Sequence, residues 1–261
     1  MFNLEKAVQI LKKYDRLIDN PDIDQLEEVI IDQLQEGGLL RLNIFVCPKF
    51  NAKALCSQEP EKYFPVEAGP DLFEPRIQKI LDLRKDLIKA GLPTEVNLLV
   101  GDNDAEEYIF PFMESFPINM DLYKQRRTAY RFSFEQRCQK IFGPRNCVVW
   151  SLAENGITSD KTEPIISVED MNKELNFFRW LFSSGGPYRG LLVFSEEVLL
   201  EMVKIKYKLY GAQGKFLEIL GGILLQTEGP GVWLERTNML KCTGSPALPT
   251  IYPWIRKKEI I

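Results

Sequence analysis

RLNIFVC, residues Arg41–Cys47, is a short apolar run that ends at Pro48. Its length and the proline that bounds it are typical of a buried β-strand. Two further short apolar runs are also predicted to be strands: EVNLLV at Glu95–Val100, which is followed by Gly101, and CVVWS at Cys147–Ser151. Because these strands alternate with helical segments, the sequence predicts an α/β fold with a mostly parallel sheet that is flanked by helices on both faces.

Amphipathic segments bounded by capping residues or helix breakers lie around the predicted strands. Residues 4–36 are predicted to form two helices, broken at Asn20-Pro21-Asp22. Capping and stop signals predict three more helices, at Arg76–Ala90, Val168–Phe182 and Glu196–Tyr210. Ser195 is the expected N-cap of the last of these, because it precedes two glutamates that favour the positive end of a helix.

The last third of the chain gives fewer clear signals. Leu191–Phe194 is predicted to be a fourth strand, and Ile251–Trp254 a final strand that stops at its proline. Between them, Gly211–Lys215 is interpreted as a break after the long helix, and the apolar residues 214–226 as a further helix. The chain of 261 residues is long enough for one large domain or two small ones. We predict a single domain over residues 1–261.

The composition excludes several classes of protein. Hydrophobic residues make up 45% of the chain and charged residues 27%, which is ordinary for a globular protein. The longest apolar runs are too short to span a bilayer, and the N-terminal segment lacks the pattern of a signal peptide. The five cysteines are scattered and form no C-x-x-C pair, which is typical of reduced thiols. We therefore predict a cytoplasmic protein with no membrane partner.

The chain contains no histidine. This absence excludes Ser–His and Cys–His catalysis, histidine zinc sites and histidine general bases. No G-x-G-x-x-G follows a predicted strand and no G-x-x-x-x-G-K-[ST] occurs, so NAD, FAD and P-loop ATP chemistry are disfavoured. Any catalysis must therefore use Cys, Ser, Tyr, Asp, Glu, Lys or Arg, or groups of the substrate.

Asp121–Phe142 is a predicted helix of unusual charge. It holds six basic and two acidic residues, a local excess of four positive charges in a protein whose formal net charge is −4. At about 100° per residue, Lys124, Arg127 and Arg131 share one helix face. The other three basic residues lie nearly opposite: Arg126, Arg137 and Lys140. Such a concentration of charge is typical of contact with the phosphates of a polyanion, and the alternative is an ordinary solvated helix.

Three further features suggest chemistry at the ends of strands. Asp102 and Asp104 follow the second predicted strand, where they could hold Mg²⁺ or Mn²⁺ on a nucleotide diphosphate, or form an ordinary turn. Cys47 ends the first strand and is either a nucleophile, which would need nearby cations, or an inert buried thiol. Tyr252 is followed by Pro253, which fixes the direction in which the chain leaves the last strand. The tyrosine phenol is therefore either directed to a defined functional position or simply packed in the core.

The order of these pieces resembles the tRNA-dependent cyclodipeptide synthases, a Rossmann-like family related to the catalytic domains of class I aminoacyl-tRNA synthetases. In that family the first strand ends at a nucleophile, and the second ends near an acidic turn that precedes a basic tRNA-binding helix. A late helix carries a Tyr-x-x-x-Glu pair for the substrate amino group, and a tyrosine near the end assists catalysis. The matching pieces here are Arg41–Cys47, Glu95–Asp104, the helix from Tyr123 to Lys140, Ser195–Trp233 and Tyr252-Pro253.

Two positions depart from the family pattern. The family nucleophile is a serine, whereas Cys47 occupies the corresponding place here, so the resemblance implies a thioester instead of an ester. The Tyr-x-x-x-Glu pair is broken, because Gly211 stands four residues after Tyr207 and Gly214 four residues before Glu218. The resemblance implies amino-group contacts for Tyr207 and Glu218 in a register that the sequence does not fix.

The first functional hypothesis is therefore a cytoplasmic aminoacyltransferase of Rossmann-like fold that makes a cyclic dipeptide from two aminoacyl-tRNAs. The resemblance implies that Cys47 holds the first aminoacyl group and that Tyr252 assists condensation. An aminoacyl ester is already activated, so no cofactor is expected. The alternatives are a metal-dependent nucleotide-sugar transferase that uses Asp102 and Asp104, and a non-catalytic RNA-binding protein. Which amino acids would be used is not fixed by the sequence.

Overall fold

The computed structural model describes residues 3–15, 23–46, 74–113, 120–159, 167–183, 193–226 and 250–254. These residues form twelve helices and strands besides two short 3₁₀ turns. The helices are α1 (Leu4–Tyr14), α2 (Leu26–Gly37), α3 (Glu74–Lys89), α4 (Asp104–Tyr108), α5 (Met120–Phe142), α6 (Val168–Phe182) and α7 (Glu196–Leu220). The strands are β1 (Leu40–Val46), β2 (Thr94–Val100), β3 (Cys147–Ser151), β4 (Gly222–Gln226) and β5 (Thr250–Trp254).

The five strands form one sheet in the order β3-β2-β1-β4-β5. The first four strands run parallel to their neighbours, and β5 pairs with β4 in the antiparallel direction. In this order β1 is central, and the chain first builds outward to β3 and then crosses to the other side of β1. This topology confirms the predicted α/β fold with a Rossmann-like, mostly parallel sheet. Pro253, which has no N–H to donate, lies in the edge strand β5, where such a residue is tolerated.

One face of the sheet packs against the larger part of the core. Alternate residues of β1 point to this face and are fully buried: Leu40, Leu42 and Ile44. Apolar side chains of α1, α2, α3 and α5 cover them, as the period of two residues in a strand requires. The conformation of the segments that connect these helices to the sheet lies partly outside the described residues.

The opposite face of the sheet is covered by the last turns of α7. Leu217 of α7 packs with Leu224 of β4, Leu99 of β2 and Leu152, which follows β3. The first half of α7 extends past the sheet and packs against α4 and α6 instead. A third apolar cluster forms there, with Tyr123, Phe178 and Met202 at its centre. Since α4 follows the end of β2, this cluster lies beyond the C-terminal edge of the sheet.

Three predictions for the last third of the chain differ from the structure. Gly211–Lys215 is not a break, because α7 continues without interruption from Glu196 to Leu220. Ala212 and Gln213 are buried inside this stretch, and such packing overrides the weak helix propensity of glycine. The helix predicted over residues 214–226 is therefore the end of α7 followed by β4. In the strand predicted at Leu191–Phe194, residues 193 and 194 are irregular and residues 191 and 192 lie outside the described part.

The other predicted elements agree with the structure to within a few residues. β3 and α6 have the predicted bounds, and β2 begins one residue earlier than predicted. The predicted break at Asn20-Pro21-Asp22 lies outside the described residues, although helices are found on both sides of it. Ser195 caps α7 as expected, because its hydroxyl accepts a hydrogen bond of 3.3 Å from the Val198 N–H. Among the described residues, no helix has the length and apolar character needed to cross a membrane.

Candidate active site

The strand order defines where a ligand site is expected. The order reverses between β1 and β4, and open α/β sheets bind ligands outside the carboxyl ends of the strands at such a switch point. The last residue of β1 is Val46, which pairs with Val100 of β2. Cys47 follows Val46 in the chain and lies outside the described residues. The structure thus describes the strand that leads to Cys47 but not the cysteine itself.

The acidic turn that follows β2 is buried in the protein interior. Asp102 is 2% exposed, and its carboxylate accepts hydrogen bonds from the Ser151 hydroxyl (2.7 Å) and the Ala153 N–H (3.2 Å). Burial raises the pKa of this carboxyl above its usual range, while the bond from Ser151 opposes that rise. The Asp102 carboxylate therefore joins the end of β2 to the turn that follows β3.

The same turn contains an unsatisfied acceptor. Asn103 is buried, and its side-chain N–H₂ donates to the Ile157 carbonyl at 2.7 Å. Its side-chain oxygen is buried and accepts no hydrogen bond from the residues that the structure describes. An orphaned buried acceptor costs on the order of 1–3 kcal/mol, so this oxygen is a place where a water molecule or a polar group of a ligand is favoured.

These contacts disfavour the metal site that the sequence suggested as an alternative. Both oxygens of the Asp102 carboxylate are engaged by protein donors. The side chain of Asp104 lies outside what the structure describes. Within the described part of the chain, no group of three or more His, Cys, Asp or Glu side chains is arranged to hold a metal ion.

The basic helix α5 presents its charges differently from the prediction. Arg127 and Arg131, placed on the predicted tRNA face, are largely covered, with side chains 14% and 18% exposed. Arg127 Nη1 lies 2.5 Å from a carboxylate oxygen of Glu106 in α4. Arg131 lies 3.3 Å from Glu135 and 3.2 Å from Glu154. Both guanidinium groups are therefore already paired with carboxylates of the protein.

The remaining basic residues of α5 are more accessible where the structure describes them. Lys124 is 54% exposed, although its ammonium lies 3.8 Å from Glu106. Lys140 is exposed and Arg137 is partly exposed, and the side chain of Arg126 lies outside the described residues. The stripe of α5 that faces water carries mostly uncharged side chains, including Thr128 and Phe132. Phosphate contact by this helix remains a prediction.

The structure does not bring Tyr207 and Glu218 together. Tyr207 is buried in the cluster beyond the C-terminal edge of the sheet, beside Met202 and Val203. Glu218 lies in the last turn of α7, and its side chain is outside the described residues. At about 1.5 Å of rise per residue, the two positions are separated by about 16 Å along the continuous helix. A shared contact of Tyr207 and Glu218 with one amino group stays a prediction.

Tyr252 lies in β5, opposite Leu224 of β4. Its backbone is therefore two strands away from β1, on the side of the sheet to which the chain crosses after β3. The side chain of Tyr252 lies outside the described residues. The assigned catalytic role of Tyr252 stays a prediction.

A row of hydrogen-bonded polar side chains crosses the sheet and was not predicted from the sequence. The Trp150 indole N–H donates to Asn97 (3.2 Å), Asn97 donates to Asn43 (3.0 Å), and Asn43 donates to the Gly221 carbonyl at the start of β4 (2.7 Å). Asn43 and Asn97 are buried and face each other in the register of β1 and β2. A signal was present, because both predicted strands carry asparagine between apolar residues.

A buried ion pair between α6 and α7 was missed as well. Lys206 Nζ lies 2.5 Å from Glu174, and the two side chains are only 8% and 5% exposed. The rings of Phe177, Phe178 and Tyr210 surround the ammonium at 5.2–5.4 Å. These contacts stabilise a buried charge through a carboxylate and aromatic faces. No local pattern indicates this pair, because the two charged residues are 32 positions apart in the chain.

Two other cysteines show what an inert thiol looks like in this protein. Cys138 and Cys147 are buried in the core between α5 and the sheet. Burial raises the pKa of the Cys147 thiol to about 12 and that of the Cys138 thiol further still. Neither thiol forms a thiolate near neutral pH, so neither is a nucleophile.

The topology and the C-terminal edge of the sheet define a Rossmann-like α/β protein. The sequence matches no protein-family model, and no curated protein shows significant similarity to it. Among solved structures, the crystal structure of the PvcA protein from Pseudomonas aeruginosa is similar to this chain, with a TM-score of 0.44 and 15% sequence identity. The similarity covers 94% of this chain and 87% of that chain.

Proposed function

We propose that this chain is an aminoacyltransferase that uses two aminoacyl-tRNAs to make a cyclic dipeptide, with the first aminoacyl group held on Cys47. The observation that carries the proposal is the strand order β3-β2-β1-β4-β5. It makes β1 the strand that ends at the switch point, and Cys47 is the next residue of the chain after β1. The proposal implies a cytoplasmic protein, because charged tRNA is found there.

The chemistry needs no external energy source. The Cys47 thiolate attacks the ester carbonyl of the first aminoacyl-tRNA and forms a C–S bond. The bond between the carbonyl carbon and the ribose oxygen breaks, and the ribose oxygen leaves with a proton. The amino group of the second aminoacyl-tRNA then attacks the thioester, which releases the thiol and gives a dipeptidyl-tRNA. Its free amino group attacks the remaining ester, closes the ring and releases the second tRNA. Tyr252 is the proposed group that assists proton transfer in these steps.

Tyr207 is the better candidate for contact with the substrate amino group. It lies in the half of α7 that extends beyond the C-terminal edge of the sheet, the edge at which β1 ends. Glu218 lies near the opposite end of α7, just before the turn that starts β4. We therefore keep Tyr207 in the proposed site and do not assign Glu218 a shared contact with it.

The tRNA is proposed to contact α5 through the basic residues of that helix. Lys124 and Lys140 offer exposed ammonium groups. Arg127 and Arg131 would need to exchange a protein carboxylate for a phosphate. Contacts of this kind position a nucleic acid without reading its sequence, so they suit a protein that accepts more than one tRNA.

Expression of the protein in bacteria, followed by mass spectrometry of the culture medium, tests the proposed function. The wild-type protein is expected to produce a new cyclic dipeptide mass, and Cys47→Ala is expected to lose it. Cys147→Ala is the matched control, because it removes an inert buried thiol and should keep the product. Absence of any new product from folded wild-type protein would contradict the proposal, and tRNA binding without turnover would favour the non-catalytic alternative.

A further inference from the structure

One carboxylate, Glu106, lies against two of the cations that the proposed tRNA surface would use. Its two oxygens are 3.8 Å from Lys124 Nζ and 2.5 Å from Arg127 Nη1. Glu106 belongs to the short helix α4, which follows β2, whereas both cations belong to α5. The contact therefore joins two elements at the C-terminal edge of the sheet and is not a local pair within one helix.

Both partners of the Glu106–Arg127 contact are largely shielded from solvent. Arg127 is 14% exposed and Glu106 is 26% exposed. The Arg127 guanidinium also lies 5.9 Å from the centre of the Tyr123 ring, and Tyr123 is fully buried and donates to the Asp102 carbonyl. Because solvent screens such a pair less than a fully exposed one, its electrostatic interaction is stronger than that of a typical surface pair.

A second carboxylate that contacts a cation of α5 is more exposed to solvent than Glu106. Glu154 is 46% exposed and lies 3.2 Å from Arg131 Nε. That nitrogen is buried and forms no aligned hydrogen bond within the described part of the chain, so this contact is an ion pair by distance alone. Glu106 is therefore the carboxylate with the larger effect on the cations of α5.

A phosphate that approaches Lys124 and Arg127 competes with the carboxylate of Glu106, which already contacts both cations. It must either displace the carboxylate or bind beside it against repulsion. From this competition we infer that Glu106 limits the affinity of α5 for RNA phosphate. The inference rests on the proposed function, because it concerns the same tRNA contact.

The test is the affinity of the full chain for unfractionated deacylated tRNA over a range of salt concentrations. Glu106→Gln keeps an acceptor for Arg127 but removes the charge. We expect it to bind tRNA about fivefold more tightly, the effect of one unit charge at about 4 Å in a water-like dielectric. The slope of log affinity against log salt should become steeper by up to about 0.9, as one more cation becomes available to a phosphate.

Glu169→Gln is the matched control. Glu169 is an exposed carboxylate of α6 that pairs with a lysine of its own helix, Lys173, at 2.8 Å. Its substitution changes the net charge by the same amount and should leave tRNA affinity unchanged. Thermal unfolding of both variants checks that each is folded.

Each outcome of this experiment separates the inference from the proposed function. Equal affinity in the wild-type protein and Glu106→Gln, with weaker binding in Lys124→Ala, overturns the inference and leaves the tRNA contact standing. An equal gain in Glu169→Gln also overturns it, since the effect would then come from net charge. Failure of every folded variant to bind tRNA at low salt, Glu106→Gln included, overturns both.

Discussion

At the scale of single residues, two glycines near the end of α7 have opposite roles. Gly222 has φ of +100°, and a Cβ added there would lie 2.5 Å from the Arg41 carbonyl oxygen. It permits β4 to begin close against β1. Gly214 lies within α7, and a Cβ added there would meet nothing within 4 Å.

This difference predicts opposite effects of the same substitution. Gly222→Ala should lower the free energy of unfolding by about 1–3 kcal/mol, because it imposes backbone strain and a clash with a neighbouring strand. Gly214→Ala should raise it by about 0.5–1 kcal/mol, because alanine is the better helix former. Urea denaturation of the two variants measures both. Destabilisation by Gly214→Ala would indicate that α7 is broken near this residue.

The buried carboxyl of Asp102 predicts a dependence of stability on pH. Its pKa is higher in the folded protein than in the unfolded chain, mainly because burial disfavours the charged form. The folded state therefore binds the proton more tightly, so Asp102 contributes a loss of stability as the pH rises from about 4, its ordinary value, through the higher folded pKa. Asp102→Asn should lose this part of the pH dependence, as measured by denaturation at a series of pH values. An unchanged profile in the folded variant would show that another group is responsible.

At the scale of secondary-structure elements, α5 carries both structural and exposed cations. Helical spacing alone gives Lys124, Arg127 and Arg131 the same role, because it places them on one helix face. The structure distinguishes them, because the two arginines are largely covered and paired with Glu106, Glu135 and Glu154.

Arg127→Ala is therefore expected to lower the free energy of unfolding by about 1–3 kcal/mol, since it leaves the carboxylate of Glu106 without its hydrogen-bond donor. Lys124→Ala should change stability by less than about 0.5 kcal/mol, as is usual for an exposed side chain. Thermal or chemical denaturation distinguishes the two. Equal, negligible effects would mean that the Arg127–Glu106 contact does not hold α4 against α5.

Most of the elements could be predicted from the sequence because their signals are local. Strands β1, β2 and β3 are short apolar runs, and Ser195 is the side-chain cap of α7. The end of α7 could not be predicted in this way. The two glycines of its GAQGK segment indicate a break, and only the packing around Ala212 and Gln213 keeps the helix continuous.

The candidate site was less predictable than the fold because its contacts join residues that are distant in the chain. Spacing alone placed Arg127 on an exposed basic face, but whether a face is exposed depends on Glu106 of α4, which helical periodicity does not reveal. Asp102 is a candidate metal ligand from its place after β2, and its hydrogen bond from Ser151, 49 residues later, could not be predicted from the sequence. Ion pairs and hydrogen bonds of this range are fixed by tertiary structure.

At the scale of the whole molecule, strands from β1 at Leu40 to β5 at Trp254 belong to one sheet. The division of residues 1–261 into domains stays a prediction, and the prediction is a single domain. The sheet is Rossmann-like, but the sequence lacks the glycine-rich dinucleotide motif after β1 and has no P-loop. The switch point of the sheet is thus expected to serve a reaction other than one that uses a dinucleotide or ATP.

The proposed reaction predicts independence from ATP and from metal bound to the protein. The aminoacyl ester supplies the energy, so purified protein with pre-charged tRNA should form product without ATP and after treatment with EDTA, provided that the tRNA is kept intact separately. Product formation is measured by mass spectrometry. Activity that disappears with EDTA and returns specifically with Mn²⁺ would instead support a metal-dependent transferase that uses Asp102 and Asp104.

The central claim is that Cys47, the residue after the central strand, carries the aminoacyl group. The most direct test mixes the protein with aminoacyl-tRNA, quenches with acid within the first turnover, and determines the mass of the protein and of its peptides. We predict an adduct of one aminoacyl group bound as a thioester to Cys47, which hydroxylamine removes and which Cys47→Ala does not form. An aminoacyl adduct on another residue, or product formation at an undiminished rate by Cys47→Ala, would contradict the account.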